Sequence, residues 1–224
     1  MESLLNDTPL MHQTLGEIAV GLPGATALFR QHKLDFCCNG QQTLEQACMA
    51  RSMDPQPLLH FLQTIQQQSA PTETLDDPVA LIDRILTRYH ETHRQQLPEL
   101  IRMARRVEAV HRDHPAVPVG LADFLEQLQQ ELESHMAKEE QILFPILRNG
   151  GHPMVAGPIS VMRHEHLDHG DQLERLVELT NDHTPPSAAC NTWRALFAGT
   201  QRLMDDLMHH IHLENNVLFP MFER

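Results

Sequence analysis

The 224-residue chain holds one tryptophan, one tyrosine and four cysteines, and its 17 lysines and arginines are outnumbered by 30 aspartates and glutamates. Each scarcity excludes something. A net charge of −13 without a cluster of basic residues argues against nucleic acid, because phosphate binding rests on grouped Lys and Arg. No apolar run approaches the ~20 residues of a membrane span. The start, MESLLNDTPLMHQTLGEIAV, has no basic segment followed by an apolar block, so neither a membrane partner nor secretion is expected. Cys37, Cys38, Cys48 and Cys190 do not form the spaced framework of a disulfide-stapled secreted domain, and the expected compartment is the cytoplasm, with reduced thiols. Histidine, in contrast, is abundant at 16 residues. A histidine-rich surface would explain the count alone, so position has to decide.

With 41% hydrophobic residues, the chain can bury a substantial core. Helix signals dominate and no convincing strand alternation occurs. The pattern predicts an all-α protein: a small helical N-terminal domain over residues 1–66, a linker over 67–78, and an up-down-up-down four-helix bundle over 79–224. Thr14 with Glu17 and Thr43 with Gln46 match the capping-box spacing, and Asp54-Pro55 offers an N-cap with proline at the first helical position. SAPTETLDDP, from Ser69 to Pro78, is polar and proline-bearing, as a linker would be. Beyond it lie four long helical patterns, near 78–113, 118–148, 158–182 and 188–219, separated by HPAVPVG, NGGHPMVAGP and HTPPS. Pro98 is expected to kink the first helix, and Pro145 and Pro220 each follow a phenylalanine near a helix end.

The repeat is the most informative feature. SHMAKEEQILFP matches HHIHLENNVLFP with an offset of 75 residues, so His135 and Glu139 correspond to His210 and Glu214. Residues four apart share a helical face, and Glu131 and Asp206 each stand four before their histidine. His90-x-x-His93 and His166-x-x-His169 correspond at an offset of 76. The bundle therefore reads as a duplicated helical hairpin. His90 and His166 share faces with apolar residues, and counting from the turns at about 1.5 Å per residue puts the inward histidines at one level to within roughly 9 Å. His111, 21 residues beyond His90, lies roughly 30 Å further along and is left out of the cluster.

Four inward imidazoles and two inward carboxylates are costly unless hydrogen-bonded or metallated. A metal removes the cost. Imidazole with carboxylate suits iron, zinc or manganese, and two bridging glutamates with two histidines per ion describe a carboxylate-bridged dinuclear site, with iron as the leading choice. A hydrogen-bonded core without metal is the alternative. His93 and His169, one turn from His90 and His166, can replace or support ligands; Glu131 and Asp206 are placed for hydrogen bonds to ligand imidazoles or for lining a way in. His209, His212, His164 and His152 fall off the inward faces and are expected in solvent.

In LDFCCNGQQTLEQA, Cys37 and Cys38 precede an Asn-Gly turn and a capped helix, where a thiolate is favoured. Adjacent cysteines make a poor disulfide. A reactive or metal-binding pair and two small buried hydrophobes are both open readings. Cys48 and Cys190 read as packing residues.

The stretches LFRQHKLDFCCNGQQTL, RYHETHRQQLPEL, SHMAKEEQILFP, GPISVMRHEH and LENNVLFP together resemble the repair-of-iron-centres (RIC) family, in which a small cysteine-bearing domain precedes a hemerythrin-like di-iron bundle. The resemblance covers nearly the whole chain. It implies His90, His135, His166 and His210 as terminal ligands of two non-haem irons bridged by Glu139, Glu214 and an oxo group. It also implies Glu131 and Glu165 as acids lining access to the site, and Cys37-Cys38 as a thiol relay. The implied function is repair of iron-sulfur clusters damaged by nitrosative or oxidative stress, by donating iron to damaged or apo iron-sulfur proteins. A di-iron reductase of nitric oxide or peroxide, and a hemerythrin-type oxygen-binding or sensing module, are the alternatives; in these, small diatomics are the partners.

Overall fold

The computed structural model describes residues 9–22, 24–68 and 77–223. It is helical, and among the described residues the β-type pairing is an isolated bridge between Thr14 and Thr43. The first helices are α1 (Leu15–Gly21), α2 (Ala25–Gln31), α3 (Leu44–Ala50) and α4 (Pro55–Gln68). Both expected capping boxes form: Thr14 Oγ1 accepts from the Glu17 N–H at 3.1 Å, and Thr43 Oγ1 from the Gln46 N–H at 3.2 Å. Asp54 Oδ1 accepts from the Gln56 N–H at 3.0 Å, which fixes the start of α4. Residues 69–76 of the expected linker lie outside the described residues.

Four long helices follow. Helix α5 runs through Pro78–Arg84, Ile85–His90 and Glu91–Val110; α6 through Leu121–Lys138, Glu139–Leu143 and Phe144–Arg148. Helix α7 is Ala156–Leu179, and α8 runs through Asn191–His212 and Leu213–Leu218 to a last turn at Phe219–Met221. They form the up-down-up-down bundle, with Leu81, Ile85, Leu125, Leu132, Ile159, Leu176, Leu203 and Leu207 among its buried residues. Pro98 sits inside α5 without ending it. Among the described residues no helix is long and apolar enough to cross a membrane.

The segments Ile85–His90, Glu139–Leu143 and Leu213–Leu218 are π-helical. The Phe144 N–H reaches back five residues to Glu139 O, and the Phe219 N–H to Glu214 O. Pro145 and Pro220 stand next in line without an N–H to donate, so the ladder is already interrupted where the wide turn sits. Such turns are rare and gather at functional sites; here each contains His90, Glu139 or Glu214.

By compactness the chain divides into two units: one runs to Pro78 and takes in Ile211 onward, and the other is Val79–His210. Within the first unit the end of α8 is tied to the cysteine loop. Asn215 Nδ2 donates to Cys37 O at 2.9 Å and Asn216 Nδ2 to Phe36 O at 3.0 Å. His212, expected in solvent, is instead buried: its ring lies edge-on to Phe36 at 5.4 Å and its Nδ1 meets Asn216 Nδ2 at 2.9 Å. His164 and His152 are exposed and His209 is half-buried. The backbone approach leaves no room at Gly40, where an added Cβ would stand 2.6 Å from Phe36 O and 2.8 Å from Asn216 Oδ1. Gly40→Ala is therefore expected to destabilise this unit by about 1–3 kcal/mol, the usual cost of overpacking, read as a lower midpoint in urea unfolding.

Candidate metal centre

Glu139 lies at the middle of the bundle layer. It has no solvent exposure, and its two oxygens face opposite ways: Oε2 is 3.4 Å from His90 Nε2 and Oε1 is 3.4 Å from His135 Nε2. The ring nitrogens converge in pairs, His90 Nε2 on His210 Nε2 at 3.1 Å and His166 Nε2 on His135 Nε2 at 3.1 Å. Ligand atoms of His90, Glu139, His210 and Glu214 all lie within 4.8 Å of one another, as do those of His135, Glu139, His166 and Glu214. The six residues singled out by the repeat are thus brought together as two overlapping groups that share both glutamates.

A pair of fully buried carboxylates calls for positive charge nearby. Neutral imidazole does not supply it, and burial, reinforced by the neighbouring His90, pushes His210 well below the usual histidine range. Borderline nitrogen donors around hard oxygens fit a first-row divalent cation, which would provide the missing charge. Aromatic rings wall the layer: Tyr89 stacks on His210 at 5.6 Å and 8°, and Phe144 on His90 at 5.8 Å.

Of the outer partners, Glu165 is one of the acids expected near the site, whereas Glu140 is new. His90 Nδ1 meets Glu140 Oε1 at 2.8 Å, and His135 Nδ1 meets Glu165 Oε2 at 2.8 Å. Glu131 and Asp206, expected either to bond the ligand imidazoles or to line a way in, are bonded elsewhere: Glu131 accepts from Gln127 and Gln172, and Asp206 from Arg88 at 2.6 Å. Burial alone would raise the Glu140 carboxyl, but hydrogen bonds from Arg94 and His90 outweigh it and hold the group below the ordinary carboxylate value. Glu165 is lowered in the same way, burial being overcome by Lys138 and His135. Each carboxylate thus stays ionised and holds the proton of its imidazole on Nδ1, which turns the Nε2 lone pair inward.

His111 is away from this cluster, its Nε2 3.2 Å from Cys190 Sγ and its ring 5.2 Å from Trp193. In the cysteine loop, Cys37 Sγ and Cys38 Sγ are 3.6 Å apart and Cys37 Sγ is 3.3 Å from Asp35 Oδ1; all four cysteines are free thiols. The expected thiolate is not favoured at Cys37. Its hydrogen bond with Cys38, then burial, push the thiol well up, and the next helix begins only at Leu44, too far for its N-terminus to act.

Two family models match the chain. Residues 81–222 match the hemerythrin HHE cation binding domain, and residues 11–66 match a domain of unknown function, DUF542. The iron-sulfur cluster repair protein YtfE of Dickeya chrysanthemi is 50% identical over 210 residues, which is 93% of this chain and 95% of the relative. The Citrobacter koseri protein of the same name is 50% identical over 209 residues, with the same coverage. The chain belongs to the YtfE family.

Sequence reasoning about this YtfE-family chain missed Glu140, Tyr89 and Gln172. Glu140 follows Glu139 directly, but its repeat counterpart is Asn215, so a search for matched pairs passes over it. Gln172 could have been found, since Gln96 lies 76 residues before it, the offset of the histidine pairs.

Burial also pushes His93 well below the usual range and His169 down to about 4. The unfolded chain, with histidines near 6.5, then binds more protons than the metal-free fold at mildly acid pH, and stability falls as pH drops. Metal-free protein is expected to lose stability between about pH 6.5 and 4, by up to about 1.4 kcal/mol per pH unit for each such group, in denaturant unfolding at stepped pH. His169→Leu should flatten that slope.

Proposed function

We propose that this chain repairs iron-sulfur clusters damaged by nitric oxide or peroxide, in the cytoplasm, by giving up iron to damaged or apo iron-sulfur proteins. The observation that carries the reading is the near full-length identity to relatives named for iron-sulfur cluster repair. Its support within the chain is a buried donor set suited to two cations. His90 with His210 would hold one iron and His135 with His166 the other, with Glu139 and Glu214 bridging. When bound, iron supplies a releasable metal pool and a redox-active pair open to small diatomics.

The chain's own residues set the terms of release. Glu140 and Glu165 orient His90 and His135, while Tyr89 and Phe144 shield His210 and His90. Cys37 and Cys38 are soft donors beside the Asp35 carboxylate, suited to accepting or relaying iron. Cys37 must lose its proton to do so, which makes acceptance by this pair favoured at higher pH.

The test is anaerobic reconstitution with ferrous iron, followed by assay of cluster formation in an apo-ferredoxin. Glu139→Ala and Glu214→Ala are expected to weaken iron binding by more than the roughly 10–100-fold typical of losing an outer partner, whereas His111→Ala keeps its iron. Glu140→Gln should fall within that 10–100-fold range. The double variant Cys37→Ala, Cys38→Ala should retain the iron absorption but deliver iron to the acceptor more slowly. Zinc alone, or no metal after reconstitution, overturns the reading.

A further inference from the structure

The duplication extends beyond the ligands. His93 and His169 are 76 residues apart, as are Gln96 and Gln172, and the acids Glu131 and Asp206 are 75 apart. Each copy therefore has a buried histidine, a glutamine about one turn on, and a carboxylate from the neighbouring helix.

The two copies are in different states. His169 Nδ1 meets Gln172 Oε1 at 2.8 Å, and Gln172 Nε2 donates to Glu131 Oε2. A carboxylate only accepts, so Glu131 dictates which end of the amide faces it. The amide oxygen in turn draws the His169 proton to Nδ1. Nε2 is left with its lone pair, buried and without a hydrogen-bond partner. In the other copy Gln96 Nε2 reaches Asp206 only at 3.5 Å. Gln96 Oε1 and both His93 nitrogens have no hydrogen-bond partner, and Arg88 Nη2 neutralises Asp206 from 2.6 Å.

His169 also lines a cleft of about 290 Å³ whose other charged groups are Glu131, Glu165, Asp168 and Lys138. Three carboxylates face one ammonium, which is already paired with Glu165. Such a mouth concentrates divalent cations. Two side chains connect it to the centre: Glu165 accepts from His135 Nδ1, and the His169 ring stands edge-on to His135 at 5.1 Å.

We propose that His169 Nε2 is a transient ligand for a divalent cation passing between this cleft and the His135–His166 half of the centre, so that this half exchanges its metal first. The inference rests on reading the His-Glu layer as a metal centre. His93 has neither a fixed tautomer nor an uncompensated acid beside it, so the His90–His210 half exchanges last.

The test uses cobalt(II), added without oxygen to metal-free full-length protein. Uptake is followed by visible absorption and release by capture with EDTA. Wild-type protein should take up two cobalt ions in two phases. His169→Leu should slow the fast phase of uptake and of release by about tenfold while the final ratio stays at two per chain. Glu131→Gln, at an exposed position, should slow the same phase and carries the test should His169→Leu not fold. A single phase in the wild type, or an unchanged fast phase in both variants, overturns the proposal alone. Loss of one bound cobalt from folded His169→Leu makes His169 a permanent ligand and also overturns it. A wild type that binds no cobalt overturns the metal centre itself.

Discussion

Two carboxylates without solvent exposure, Glu139 and Glu214, set the conditions for the rest of the molecule. A carboxylate removed from water must be met by charge or strong hydrogen bonds, and an apolar bundle offers neither. The response is layered outward from Glu139. Imidazoles surround it; behind His90 and His135 stand Glu140 and Glu165; behind those, Arg94 and Lys138 reach in from the surface. Arg94 and Lys138 hold Glu140 and Glu165 ionised, and these two carboxylates in turn fix the rings of His90 and His135 that face Glu139. The π-turns serve the same end, since they fall on the segments that present His90, Glu139 and Glu214.

The repeat is broken just outside the six shared residues of this layer. Glu140 backs His90, but its counterpart Asn215 turns to the cysteine loop and donates to Cys37 O. A carboxylate could not do that, because it has no proton to give a carbonyl. Glu165 backs His135, while its counterpart Tyr89 stacks on His210. The residue directly after Glu214 therefore anchors the backbone of the thiol-bearing loop instead of supporting an imidazole.

Much of the fold and the six central donors were legible because they depend on period and repetition, two signals a linear sequence carries well. Four helices, three turns and both capping boxes follow from local chemistry. The residues that escaped depend on non-repeated or long-range contacts. His212 falls off the single inward face that the helical period gives α8, yet the last turns of α8 also pack on Phe36. Cys37 looked activated because a capped helix follows it, but six residues intervene and Cys38, Asp35 and burial decide its chemistry. The π-turns leave no composition signal beyond the prolines that follow two of them.

The donor set itself differs from that of other dinuclear bundles. Ferritin-like centres use four carboxylates with two histidines. Here the proportions are reversed, with four imidazoles and two carboxylates, and the further acids Glu140 and Glu165 are partly compensated by Arg94 and Lys138. Two divalent cations would outweigh the charge of their direct ligands. Nδ1 of His90 and of His135 is held by a carboxylate, which fixes those two rings from outside the layer. Four imidazoles and two carboxylates, with two of the rings held from outside, make a donor set suited to divalent cations.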